Sequence, residues 1–106
     1  ELQELVERSW AIRQAYHDLE VKHHDSKWTV EEDLLALSND IGNFLRLVMR
    51  KQGRYYDETP YTLEHKLSEN IWWLVELSQR LDVDILTEME NFLSDKEKQL
   101  NIKTRR

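Results

Sequence analysis

The pattern of apolar and polar positions predicts four amphipathic helices, of which the clearest covers residues 63–81. Its apolar side chains recur every three or four residues, which is the spacing of one helix face. They are Leu63, Leu67, Ile71, Leu74, Leu77 and Leu81. A mostly polar line beside this stripe consists of Lys66, Glu69, Trp73, Glu76 and Arg80. Because Trp72 and Val75 point to a third side, we expect an inner helix or one that a partner subunit covers.

Local signals place the other helices. The same apolar spacing predicts a first helix over residues 1–22, and Thr29 with Glu32 matches a capping box that opens the second helix. The apolar stripe of the second helix consists of Val30, Leu34, Leu37, Ile41, Leu45 and Val48. Gly53 is the expected C-cap of this helix, and residues 59–60, Thr-Pro, are the expected start of the third. Gly42 inside the second helix indicates close helix packing or room for a ligand.

The fourth helix has Asp84 as its expected N-cap and follows a very short link, residues 82–84. A link of this length turns the helix back antiparallel to the third. The inward positions that we expect on the fourth helix are Ile85, Leu86, Met89, Phe92, Leu93 and Leu100. The chain of 106 residues is long enough for one core. The pattern therefore predicts an all-α, antiparallel four-helix bundle that forms a single domain over residues 1–106.

Charge and composition exclude several classes of function. The net charge is −6, whereas a nucleic-acid-binding surface needs a basic face, so we expect no nucleic-acid partner. No apolar run approaches the ~18 residues that cross a bilayer, and no signal peptide is recognisable. The chain has no cysteine, which excludes disulfides and cysteine-based zinc sites within it. We therefore expect a cytoplasmic protein with no membrane partner.

Three groups of polar residues have simple expected roles. His23 and His24 are adjacent in a polar connector and rarely share one ion, so a solvated loop is expected. The acids at 31–33 suit the positive end of the second helix dipole, which favours capping and solvation over catalysis. Arg50, Lys51 and Arg54 suit the opposite end of that dipole. Alternatively, these basic residues bind phosphates while Tyr55 or Tyr56 stacks on a base.

The candidate site consists of two polar pairs with i, i+3 spacing. Asp40 with Asn43 lies on the second helix, and Lys66 with Glu69 lies on the third. Residues at this spacing share one helix face, and such pairs on facing helices build carboxylate metal sites in helix bundles. The spacing therefore predicts that the candidate functional site lies between the second and third helices, at the edge of the core.

Over residues 28–98 the sequence resembles the MazG-like all-α nucleoside triphosphate pyrophosphohydrolases. The matching segments are WTVEEDLL at 28–35, LSNDIGN at 37–43, KLSENIWWL at 66–74 and LSQRLDVD at 77–84. The signature of the family is Glu-Glu-x-x-Glu on the second helix and Glu-x-x-Asp on the third. The resemblance implies an Mg²⁺ site built from these acids, cleavage of a nucleoside triphosphate to monophosphate and pyrophosphate, and a homodimer or a dimer of dimers. Mg²⁺ prefers such carboxylate oxygens.

The chain departs from this signature at its acids. Asn39 and Asn43 fall on the first and last glutamates of the second helix, and Asp40 falls on the middle one. Lys66 falls on the glutamate of the third helix, and Glu69 on the aspartate. The family would supply four negative charges at positions 40, 43, 66 and 69, whereas this chain supplies a net charge of −1. An ammonium also competes with a divalent ion for the same carboxylates.

Three functions therefore remain open at this point. The first is a pyrophosphohydrolase with a rearranged site, in which Asp40 and Glu69 hold Mg²⁺ weakly, Asn43 is a neutral ligand and Lys66 contacts phosphate. The second is a nucleotide-binding or regulatory oligomer without hydrolysis. The third is an interaction protein in which Lys66 forms a structural salt bridge with Asp40 or Glu69.

The sequence predicts no particular catalytic residue, but it indicates three further roles. Arg50, Lys51 and Arg54 are additional candidates for substrate binding. Trp72 and Val75 are expected subunit contacts. Trp28 and Trp73 are expected in the core or in a pocket wall.

Overall fold

The structure is a computed structural model that describes residues 1–54 and 59–104. Within these ranges it contains four α-helices and no strand, which confirms the all-α class. The helices are α1 (Leu2–His24), α2 (Val30–Lys51), α3 (Leu63–Arg80) and α4 (Ile85–Leu100). No helix among these residues is both long and apolar enough to cross a membrane. The expected contacts of Tyr55 and Tyr56 lie outside the described residues.

The helix ends follow from local capping. Thr29 accepts a hydrogen bond from the Glu32 amide while Glu32 reaches back to the Thr29 amide, so the predicted capping box is confirmed. Asp84 caps α4 as predicted. Gly53 follows the C-cap of α2 with a φ of 73°, in the left-handed region. Helix α3 begins at Leu63, the first residue of the predicted 63–81 helix, but Thr62 caps it and not the expected Thr59.

Two helices pack on α3, and the fourth helix stays largely apart. Both α1 and α2 lie against α3. In contrast, α4 makes few contacts with α3, and none of its residues is buried. The radius of gyration of 17.1 Å exceeds the roughly 13 Å of a compact chain of this length. The packing of α4 against α3 that the short link predicted is therefore slight in the single chain.

The apolar stripes predicted for the core are mostly at the surface of the single chain. In the stripe of α3, Leu77 is buried, whereas Leu67, Ile71 and Leu74 are exposed. Exposed apolar residues also include Leu34, Ile41 and Leu45 of α2 and Met89, Phe92, Leu93 and Leu100 of α4. The apolar core of the described residues centres on Leu37, Trp73 and Leu77. The predicted stripes were correct as helix faces but wrong as the core of one chain.

The polar line of α3 is the face that this chain buries. Lys66, Trp73 and Glu76 are buried between α3 and its two neighbours, and Arg80 is half-buried. Arg13 of α1 and Asp33 of α2 are buried against this line. The best-buried contacts of the chain are therefore ionic.

Candidate functional site

Lys66 joins the two helices that carry the candidate site. Its Nζ lies 2.9 Å from Oε1 of Glu69 and 3.4 Å from Oδ1 of Asp40. Asp40 also accepts a 2.8 Å hydrogen bond at Oδ2 from Nε1 of Trp73. The Lys66 ammonium lies 4.4 Å from the centroid of the Tyr61 ring, a cation–π contact. The structure thus brings Asp40, Lys66 and Glu69 together as one network, the lysine network.

The electrostatics of this network keep Lys66 charged. Burial lowers the pKa of Lys66, but the hydrogen bond to Glu69 and the charge of Asp40 outweigh it. The pKa of Lys66 therefore lies above its ordinary value. An ammonium that stays protonated holds both carboxylates at the place where a bridging cation would bind.

The residues of the lysine network do not fit Mg²⁺. Mg²⁺ needs near-octahedral oxygen ligands, and the two carboxylates available here already share the Lys66 ammonium. Asn43 lies one turn along α2 from Asp40 and is half-buried. Among the polar contacts of the described residues, none joins Asn43 to this network.

The basic residues at the end of α2 are separate from this network. Arg50 and Lys51 form the last turn of α2, and Arg54 lies just beyond it. The ten residues from Asp40 to Arg50 correspond to about 15 Å along a helix. All three side chains are exposed, and the structure does not bring them to Lys66.

A second ionic cluster, the helix junction, joins α1, α2 and α3. It consists of Arg13, His17, Glu20, Asp33, Glu76 and Arg80. Arg13 donates to Oε2 of Glu20 at 2.8 Å and to Oδ1 of Asp33 at 2.6 Å. Arg80 donates to Oδ2 of Asp33 at 2.8 Å.

The junction corrects the expected role of Asp33. Capping and solvation are the expected roles of this first-turn acid, but its side chain is fully buried, so it is not solvated. Arg13, His17 and Glu20 have helical spacing, and this polar stripe on α1 is the signal that could have found the junction. The apolar spacing of α1 predicted only an amphipathic helix, with these polar residues on its solvent-facing side.

An aromatic cavity of about 430 Å³ lies beside both ionic clusters. Its lining residues are Arg13, Tyr16, Leu19, Glu20, His23, His24, Trp28, Glu69, Trp72 and Trp73. Trp28 and Trp73 thus line a pocket wall as expected. The adjacent histidines belong to the last turn of α1, so the expected loop was wrong there. Trp72 packs on Tyr16 and Trp73 of its own chain, with ring centroids 6.0 and 4.8 Å apart.

The comparisons with known proteins found no relative. No protein-family model matches the chain, and neither a curated protein nor a solved structure matches it. The MazG resemblance therefore stays a prediction that rests on the sequence motifs and their spacing.

Proposed function

We propose that this chain is a MazG-like protein that binds nucleoside triphosphates as a helical oligomer and does not hydrolyse them through a divalent metal. The observation that carries this proposal is the position of the Lys66 ammonium between Asp40 and Glu69. In the family signature, positions 66 and 69 supply acids to a metal. Here the lysine supplies the positive charge, so the two helices stay together without an ion.

The aromatic cavity supports binding of the base. Its rings offer flat apolar faces, and stacking of a base on such a ring contributes about 1–3 kcal/mol. Glu69 belongs both to the cavity wall and to the lysine network. We propose that the phosphates of a nucleotide bound there extend towards Lys66, whose positive charge suits them.

The exposed apolar surface supports the oligomer. An apolar groove of about 670 Å³ runs between α1, α3 and α4 and includes Leu5, Ile12, Ile71, Leu74 and Met89. Val75, an expected subunit contact, also lines it. Contiguous apolar surface of this kind marks interfaces between proteins. A second copy of the chain offers the matching surface, because closed homo-oligomers are the commonest assemblies.

Calorimetric titration with the canonical ribo- and deoxynucleoside triphosphates tests the proposal, once with Mg²⁺ and once with EDTA. We expect binding in both conditions and no release of pyrophosphate. Trp28→Ala should weaken binding by about 5- to 150-fold, since it removes a stacking face of the cavity. Trp10→Ala is the matched control, because Trp10 does not line this cavity.

Restoring the signature tests the role of Lys66. The double variant Lys66→Glu, Asn43→Glu places acids at both positions, and we expect it to release pyrophosphate with Mg²⁺. Lys51→Glu makes the charge change of Lys66→Glu at an exposed position and should stay inactive. Metal-dependent release by the unaltered chain would replace the proposal with an active hydrolase. Absence of nucleotide binding would leave the third function, an interaction protein held together by structural ion pairs.

A further inference from the structure

Glu76, like Asp33, is a fully enclosed carboxyl group of the helix junction. Its side chain is 0% exposed. The charged and titratable groups around it are Arg13 and His17 from α1, Asp33 from α2 and Arg80 from α3, and Glu20 of α1 joins the same cluster through Arg13. The environment of Glu76 therefore comes from all three packed helices.

The hydrogen bonds within the junction provide no donor to the carboxylate oxygens of Glu76. Each oxygen of Asp33 accepts a guanidinium N–H, as described above. Neither oxygen of Glu76 accepts a hydrogen bond. The nearest cationic atoms are Nε of Arg13 at 3.4 Å and Nε of Arg80 at 4.0 Å. A buried carboxylate without donors is unfavourable, so the group needs another explanation.

The balance of charges in the junction indicates that one positive charge is missing. The junction holds three carboxyl groups, on Glu20, Asp33 and Glu76, and two guanidinium groups, on Arg13 and Arg80. One positive charge is therefore lacking if all three acids are ionised. A proton supplies one charge, whereas a divalent ion supplies two and would lie beside both guanidinium groups.

We propose that Glu76 is a protonated carboxylic acid in the folded chain, that it donates its proton to Asp33 as a hydrogen bond, and that loss of this proton loosens the junction of α1, α2 and α3. One carboxylate oxygen of Glu76 and one of Asp33 lie within 4.8 Å of each other. His17 lies within the same distance of both acids, and its Nε2 has no hydrogen-bond partner. The occupied oxygens of Asp33 favour a proton over a metal ion in this group.

The titration properties agree with this geometry. Burial raises the pKa of Glu76 to about 7, and the charge of Asp33 adds to the effect while Arg13 and Arg80 oppose it. Burial, with the charges of Arg13 and Arg80, lowers the pKa of His17 below its ordinary value. Near neutral pH, His17 is therefore neutral and adds no positive charge to the junction.

The junction shares Arg13 with the aromatic cavity. The guanidinium carbon of Arg13 lies 5.7 Å from the ring centroid of Trp28 and 5.5 Å from that of Trp73. A change at Glu76 therefore reaches the cavity wall through one side chain. We expect the tryptophan emission of the chain to change with the same midpoint as the loss of the proton.

The test compares unfolding of the unaltered chain with that of Glu76→Gln from pH 4 to pH 9, at one protein concentration. The folded chain binds this proton more tightly than the unfolded chain does. Its stabilisation is complete below a pH of 4.5 and is lost as pH rises to about 7. Relative to Glu76→Gln, the folding equilibrium constant should fall by up to about tenfold per pH unit in that window. Taking the difference removes the contribution of His17, which acts in the opposite direction.

Two further measurements complete the test. Glu88→Gln, on the exposed surface of α4, should show no such difference. Carboxyl ¹³C NMR of the unaltered chain follows Glu76 directly and needs no variant to fold; we expect its midpoint near neutral pH. A pH-independent difference, or a Glu76 carboxyl already ionised at pH 5, would overturn the proposal. So would added Zn²⁺ raising the unfolding temperature of the unaltered chain but not that of His17→Gln, since an ion would then be the missing charge.

Discussion

The indole N–H of Trp73 donates a 2.8 Å hydrogen bond to Oδ2 of Asp40, while Lys66 holds the other oxygen of the same carboxylate. Two residues of α3 thus fix one acid of α2. A carboxylate held in this way connects the aromatic cavity, through Trp73, to the lysine network. The same contact also gives a direct measure of how much a buried indole stabilises this packing.

Trp73→Phe should lower the free energy of unfolding by about 2–3 kcal/mol, because it leaves an oxygen of Asp40 without its donor. Urea denaturation measures this change. Trp72→Phe is the matched control: its indole donates over 3.4 Å to the carbonyl of Ser9, a long and weak bond. Equal losses in the two variants would show that the bond to Asp40 is not what stabilises the chain.

Arg13→Met should be among the most destabilising substitutions. It removes the guanidinium that Glu20, Asp33 and Glu76 share, and breaking a buried ion pair costs about 3–5 kcal/mol. Chemical denaturation followed by circular dichroism checks the value. Arg8→Met, on the exposed surface of the same helix, should stay within about 0.5 kcal/mol of the unaltered chain. A loss below 1 kcal/mol for Arg13→Met would contradict a tightly paired junction.

The two glycines should respond to alanine with opposite signs. Gly53 has a φ of 73°, so Gly53→Ala strains the end of α2 and should cost about 1–2 kcal/mol. A Cβ at Gly42, inside α2, meets no atom within 4 Å, so Gly42→Ala should stabilise the chain by roughly 0.5–1 kcal/mol. Thermal unfolding of both variants checks this. Destabilisation by Gly42→Ala would indicate that a partner approaches α2 closely at this point.

Leu74→Glu should reduce the assembled mass measured by light scattering. Leu74 is exposed in the apolar groove, and a charge there opposes burial against a second copy. Ser38→Glu places the same charge at an exposed polar position of α2 and should leave the mass unchanged. If the unaltered chain is monomeric at micromolar concentration, the oligomer of the proposed function is wrong.

Sequence periodicity located the helices well because their signals are local. The capping box at Thr29 and the N-cap at Asp84 depend on residues within one turn, and both are confirmed. Helix α1 continues two residues past the predicted end, to His24, where Asp25 adopts a left-handed φ of 63° and ends it. Such an end needs no glycine, since aspartate tolerates this region, and the sequence therefore offered little warning.

The packing could not be predicted in the same way. Periodicity identifies which side chains share a face, but it does not say whether the same chain or another copy covers that face. Leu67 and Ile71 were therefore assigned to the core, whereas Lys66 and Glu76 occupy it. The candidate site could be predicted in part from the sequence. A salt bridge of Lys66 with Asp40 or Glu69 was one of the expected contacts, and both are present. The junction depends on pairs such as Arg13 with Asp33, which are far apart in sequence.

The small apolar core has a consequence for calorimetry. Among the described residues, the buried apolar side chains are Leu37, Leu47, Trp73 and Leu77. Unfolding of a single chain would hydrate little new apolar surface, so its heat-capacity increment should lie below the usual ~12–15 cal/mol/K per residue. Its stability would then vary little between cold and warm conditions. An assembly that covers the exposed leucines would restore the ordinary increment, and the curvature of stability with temperature would steepen as the protein is concentrated.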